Sequence, residues 1–118
     1  MSTAGDVLSD LYATLQERKS ADAGSSYVAR LYRDGLDAIL KKVGEEAAET
    51  LVAAKNSDRA ALVHELADLW FHSLVLMAAK DVPLSDLTDE LARRRGRSGL
   101  EEKAGRPALR RPRAARSK

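Results

Sequence analysis

Two pairs of acids stand out: Glu46 with Glu49, and Glu65 with Asp68, an E-x-x-E and an E-x-x-D separated by fifteen residues. Positions i and i+3 share one face of a helix, so each pair would present two carboxylates one above the other. If two such helices run antiparallel across a turn at Asn56–Asp58, the pairs face each other and four oxygen donors converge. Hard oxygen donors without zinc-type His or Cys spacing favour Mg²⁺, with Mn²⁺ as a substitute. A Mg²⁺ ion held by a few carboxylates keeps several waters and usually serves phosphate chemistry.

The neighbouring sequence sharpens this expectation. GEEAAETLVAAK, Gly44 to Lys55, crowds Glu45, Glu46 and Glu49 into five positions, although like charges at i,i+4 weaken a helix. A cation bound among them resolves the conflict. Glu65, Asp68 and His72 follow at i, i+3 and i+7, within about 60° on one stripe. That stripe belongs to a segment whose Leu62, Val63, Leu66, Leu69, Trp70, Phe71, Leu74, Val75, Leu76 and Met77 cover nearly the whole circumference. An ionised carboxylate in such surroundings costs on the order of several kcal/mol unless it is paired, neutralised or bound to metal. Glu45 points farther from the core and is either a solvated residue or the candidate catalytic base. Lys42, one turn before Glu46, is either an ion-pair partner of that glutamate or a phosphate contact. His72 is expected to be a hydrogen-bonded core histidine rather than a ligand, and His64 carries no signal. Trp70 and Phe71 are expected in the core or at a subunit interface.

The elements that must position these groups are helical. Glycines, prolines and polar clusters divide the chain into helices over about Val7–Arg18, Leu36–Lys55, Arg59–Lys80 and Leu84–Arg95, with Asp58 as N-cap of the third. SYVARLYRDG forms a short ordered piece before the second, and RGRSGLEEKAGR an irregular segment after the fourth. No segment alternates with period two, so the class is all-α, a bundle of about four helices. In the second helix Leu36, Leu40, Val43, Ala47, Leu51 and Ala54 define the expected core face, flanked by Glu46 and Glu49. A helix apolar all round is buried on every side. Three other helices can hardly cover it while hiding their own stripes, so a second copy is expected to complete the core, with C₂ pairing the commonest arrangement.

Length sets one domain, residues 1–105, followed by a basic tail, 106–118, expected to be disordered. The 118 residues include no cysteine, which excludes a disulfide framework, a thiolate metal site and a thiol nucleophile. No secretory signal or membrane span is visible, and a soluble, cytoplasmic protein is expected. The pI of about 9.0 suggests a nucleic-acid binder until the charge is located. Residues 106–118 hold six Lys and Arg and no acid, leaving 14 basic against 18 acidic groups, net −4, in residues 1–105. An acidic body repels nucleic acid, and the tail has no aromatic for base stacking.

KKVGEEAAETLVAAK followed by HELADLWFHSLVLMA resembles the phosphoribosyl-ATP pyrophosphohydrolases of histidine biosynthesis, within the MazG-like all-α nucleotide pyrophosphohydrolases. SYVARLYRDGLDAILKKVGEEAAE, ELADLWFH and RRRGRSGLEEKA carry the likeness to the phosphoribosyl-ATP branch, over about Leu8 to Ala104. The resemblance implies a dimeric hydrolase that converts phosphoribosyl-ATP to phosphoribosyl-AMP and pyrophosphate by Mg²⁺-assisted attack of water on the triphosphate. It places Glu46, Glu49, Glu65 and Asp68 as metal ligands. Lys42, with Lys41 and Lys55 as lesser candidates, would meet phosphates. Among Arg93, Arg94, Arg95 and Lys103, some would close over the polyphosphate or phosphoribosyl group. No cyclohydrolase sequence follows, so the next step is expected of a separate protein. The rival readings are a MazG-type hydrolase of NTPs or dNTPs, a nucleic-acid module acting through the Arg-rich tail, and a structural dimerisation domain. The last explains the apolar third helix but not the acids inside it.

Overall fold

The computed structural model describes residues 2–96 and 99–105, so the basic tail lies outside the described residues. Those residues form six α-helices and one 3₁₀ turn, with no strand among them. The helices are α1 (Ala4–Glu17), α2 (Tyr27–Asp34), α3 (Leu36–Lys55), α4 (Arg59–Ala79), α5 (Leu84–Arg94) and α6 (Gly99–Ala104), with the 3₁₀ turn at Arg18–Ser20. The two extra helices fall where a short ordered piece and an irregular segment were expected. Capping explains the first: the Ser26 side chain accepts from Ala29 N at 3.1 Å, which is enough to start an eight-residue helix. Gly35 then ends α2 at φ +103, a left-handed backbone that an L side chain rarely adopts, so the chain turns directly into α3.

Other helix starts follow the same chemistry. Thr3 and Asp6 form a capping box at α1, with bonds of 3.0 and 3.2 Å. Asp58 caps α4 by accepting from Ala61 N at 3.2 Å, as its position before the apolar run predicts.

The chain divides into two compact units, Met1–Leu84 and Ser85–Lys118. In the first, the most extensive helix contact is α3 against α4, and α1 packs on α4. Its core consists of Leu15, Val28, Leu31, Ile39, Leu74, Val75 and Ala78, drawn from four helices. Tyr32 donates to Leu15 O at 2.9 Å, Tyr12 donates to Val82 O, and Lys19 pairs with Asp81 at 2.8 Å. Ile39 is 1% exposed. We expect Ile39→Ala to destabilise the protein by about 2–5 kcal/mol, read as a lower urea midpoint at unchanged slope.

In the second unit, Glu90 on α5 is forked by Arg93 at 2.6 Å and Arg94 at 3.0 Å. Those bonds hold its carboxyl down at about 2.

One expectation about a helix face needs correction. On α3 the buried residues are Ile39, Glu46 and Ala53, spaced by sevens, whereas Leu36, Leu40, Leu51 and Ala54 are exposed. The inward line is rotated roughly 100° from the expected one, given 100° per residue. Glu46 therefore lies on the core line instead of flanking it. The helix has two apolar faces, and contact with α4 uses the one centred on Ile39. On α4, by contrast, the other helices of one chain leave part of the circumference uncovered, as its all-round apolar sequence leads one to expect. Its buried residues are His72, Leu74, Val75 and Ala78, while Val63, Leu66 and Trp70 are exposed. By length and composition α4 could cross a membrane. Glu65 and Asp68 in its middle, and its packing against α3 and α1, mark it instead as the central helix of a bundle.

Candidate metal centre

The antiparallel turn between α3 and α4 brings glutamates from both helices together. Carboxylate oxygens of Glu46, Glu49 and Glu65 all lie within 4.8 Å of one another. Thr50 sets the register at this level: its hydroxyl lies 2.8 Å from Glu46 O and 3.2 Å from Glu65 O, bridging the two backbones. Neighbouring Glu49 and Glu65 also line an open cavity of about 370 Å³ with Ala48, Val52, Ala53, Asn56 and Ala61. That volume falls in the range of small-molecule sites.

Burial makes the cluster unusual. Glu46 is only 5% exposed. Its Oε1 and Glu65 Oε1 are buried without a hydrogen-bond partner among the described residues. Buried polar atoms are normally satisfied, and a buried carboxylate oxygen left bare is costly. Glu46 Oε2 is partly compensated by the Lys42 ammonium at 3.5 Å, which also lies 3.6 Å from Glu45 Oε1. The bare oxygens are therefore suited to accept a positive charge between the helices. Three carboxylates from two helices form a hard-oxygen donor set that fits a divalent cation.

The remaining sequence candidates are placed as follows. Asp68 lies one turn beyond Glu65 on α4 but outside the three-glutamate cluster, with its Oδ2 3.3 Å from His64 Nε2. His64 thus has a role that its position alone did not signal, although the i,i+4 spacing permitted it. Glu45 is half-exposed and turned to Lys42. Lys41 and Lys55 are exposed on α3 and make no polar contact with the cluster among the described residues. Arg95, just after α5, and Lys103, on α6, belong to the second unit. There Arg95 and Arg94 line a cavity of about 340 Å³ with Thr88, Leu91 and Ala92, and Arg94 is already engaged by Glu90.

His72 is buried at 5% exposure and hydrogen-bonded, as expected of a core histidine. Its Nδ1 lies 2.8 Å from Asp68 O and its Nε2 2.8 Å from the Tyr27 hydroxyl. The role of Tyr27 was not visible in the sequence, because α2 reaches α4 from 45 residues away. Burial raises the Tyr27 pKa, and Glu46, Asp68 and Glu45 add to the effect against the opposing charge of Lys42. For Lys42, burial disfavours the charge, but Tyr27, Glu46 and Glu45 outweigh it and the net shift is upward. Both groups are therefore protonated at neutral pH.

Residues 8–95 match the phosphoribosyl-ATP pyrophosphohydrolase family. A phosphoribosyl-ATP pyrophosphatase of Nitrosospira multiformis is 52% identical over 103 residues, 87% of this chain and 85% of that protein. The enzyme of the same name from Neisseria gonorrhoeae is 54% identical over 100 residues, covering 85% of this chain and 94% of its own length. That of Ruthia magnifica is 48% identical over 101 residues, 86% and 96% of the two chains.

Proposed function

Because this chain belongs to the phosphoribosyl-ATP pyrophosphohydrolase family, we propose that the glutamates between α3 and α4 are the centre at which it acts on its substrate. The activity is hydrolysis of a phosphoanhydride bond, converting phosphoribosyl-ATP to phosphoribosyl-AMP and pyrophosphate in histidine biosynthesis. The observation that carries the site assignment is the pair of bare, buried oxygens, Glu46 Oε1 and Glu65 Oε1, within a three-glutamate cluster.

Glu46, Glu49 and Glu65 would hold Mg²⁺, or Mn²⁺ in its place, and Asp68 is a fourth donor if its carboxylate leaves His64. When bound, the cation neutralises negative charge on the triphosphate and on the departing pyrophosphate. The chain's own groups do the rest. Lys42, fixed by two carboxylates, offers its remaining N–H to a phosphate oxygen. Glu45, half-exposed beside it, would accept a proton from the attacking water. The site opens to solvent through the groove lined by Glu49 and Glu65, which gives an anionic substrate a route in.

The deciding assay follows pyrophosphate release from phosphoribosyl-ATP with Mg²⁺, with EDTA, and beside a panel of NTPs and dNTPs. Turnover that requires Mg²⁺ and prefers phosphoribosyl-ATP supports the reading. Equal or faster hydrolysis of ordinary NTPs would overturn the substrate assignment.

A homodimer completes the picture. Val63, Leu66 and Trp70 form an i, i+3, i+7 stripe on α4, with exposures of 56%, 38% and 58%. Leu36, Leu40 and Leu51 form a second exposed stripe on α3. Exposed apolar surface of this extent is characteristic of an interface. Sedimentation should give a dimer for the wild type. Trp70→Glu should weaken association by about 100-fold or more, as expected for a buried aromatic anchor.

A further inference from the structure

The groove beside the glutamates changes chemistry along its length. Glu49 and Glu65 belong both to the three-glutamate cluster and to the wall of the cavity of about 370 Å³, so cluster and cavity are continuous. Beyond those two acids the walls are Ala48, Val52, Ala53 and Ala61, small apolar side chains of α3 and α4. No Lys or Arg lines the cavity among the described residues. Asn56 brings a neutral amide to it. The Asn56 backbone N–H donates to Ala53 O at 3.1 Å where α3 ends, whereas its side chain makes no hydrogen bond among the described residues. The amide therefore has both a donor and an acceptor to offer a ligand.

The opposite end of the cluster is cationic. Lys42 lies one turn before Glu46 on α3, with its ammonium 3.5 Å from Glu46 Oε2. Ala48, Val52 and Asn56 follow Glu46 in the chain, and Ala61 precedes Glu65 by one turn on the antiparallel α4. Lys42 and the cavity thus lie on opposite sides of the three glutamates along the helix axes. From Glu49 to Asn56 the chain rises about 10 Å at 1.5 Å per residue. A nucleoside whose phosphate sits at the cluster can span that length.

The substrate has a matching asymmetry. Cleavage of its phosphoanhydride separates pyrophosphate, which is anionic throughout, from a nucleotide whose base is flat, largely apolar and edged with donors and acceptors. Apolar walls with acids at their rim repel the first and suit the second.

We infer that the substrate lies across the cluster in one direction: the adenine base occupies the cavity between Ala48 and Ala61, with its N6/N7 edge paired to the Asn56 amide, and the departing pyrophosphate lies at the Lys42 end. An Asn side chain matches adenine, whose N6 donates and N7 accepts, whereas guanine presents two acceptors on that edge. This assignment rests on the hydrolase reading above. It makes Asn56 a specificity residue, remote from the reacting atoms.

Product inhibition tests the direction, with AMP and pyrophosphate as separate probes, phosphoribosyl-ATP as substrate and Mg²⁺ present throughout. Thermal unfolding checks that each variant is folded. Ala61→Trp fills the cavity, and should raise the inhibition constant of AMP about tenfold or more while leaving that of pyrophosphate within about twofold. Lys42→Met should do the reverse, by about tenfold, the size of a hydrogen bond to a charged group. Asn56→Ala leaves the cavity open, and should weaken AMP about tenfold but GMP less than about twofold. If Ala61→Trp weakens pyrophosphate and not AMP, the direction is the opposite one. Unchanged AMP constants in both cavity variants would remove the base from the cavity. Either result overturns the inference while leaving the hydrolase intact. Calorimetric titration of AMP into the wild type and the two cavity variants reads the same contacts without turnover. A wild-type chain that binds AMP with this dependence on Ala61 and Asn56, yet fails to hydrolyse phosphoribosyl-ATP, would overturn the hydrolase reading instead.

Discussion

Glu46→Gln is expected to lower kcat/KM for phosphoribosyl-ATP by about 10³-fold, roughly 4 kcal/mol of transition-state stabilisation. The substitution preserves volume and removes the charge. Glu46 combines 5% exposure with one oxygen bound only by Lys42 and another with no partner. A group placed so expensively would be explained by the proposed cation, and loss of one such electrostatic contact typically costs about 10²–10³ in rate. Folding should survive, because the amide is less costly to bury than a carboxylate. The variant should therefore unfold near the wild-type temperature in EDTA while being nearly inactive in Mg²⁺. Full activity in this variant would remove Glu46 from the site.

The second large effect is on stability. A cation that binds the folded chain alone stabilises it by about 2.7 kcal/mol at a hundredfold excess over its Kd. For a chain of this length that corresponds to an unfolding temperature higher by on the order of 10 °C. Mn²⁺ or Mg²⁺ should produce this rise in differential scanning fluorimetry, and EDTA should reverse it. In Glu46→Gln and Glu65→Gln the rise should shrink to below about 2 °C, since each variant loses one of the bare oxygens. A wild-type shift that persists undiminished in both variants would place the ion elsewhere.

The parts legible in the sequence are those governed by local chemistry. Asp58 announces the start of α4, Gly35 and the polar break at 56–58 bound α3, and the E-x-x-E and E-x-x-D spacings bring three glutamates onto facing helices. What escaped the sequence depends on partners. Periodicity shows that α3 has an apolar stripe through Leu36, Leu40 and Leu51, but it does not say which neighbour covers it. Ile39, Glu46 and Ala53 turn inward because α4 meets that face. Both the i,i+3 spacing and the family resemblance group Asp68 with the three glutamates. In the fold its carboxylate is turned to His64, a choice set by rotamers that spacing leaves open. The bond between Tyr27 and His72 joins residues 45 apart, and no short-range pattern encodes such a contact.

On the proposed reading a divalent cation joins the carboxylates of α3 and α4. Crystals grown with Mn²⁺ and measured for its anomalous scattering would locate that ion. A peak is expected between Glu46, Glu49 and Glu65, within coordination distance of their oxygens. An ordered, empty cluster at a Mn²⁺ concentration that supports full turnover, or a peak bound only by other residues, would contradict it.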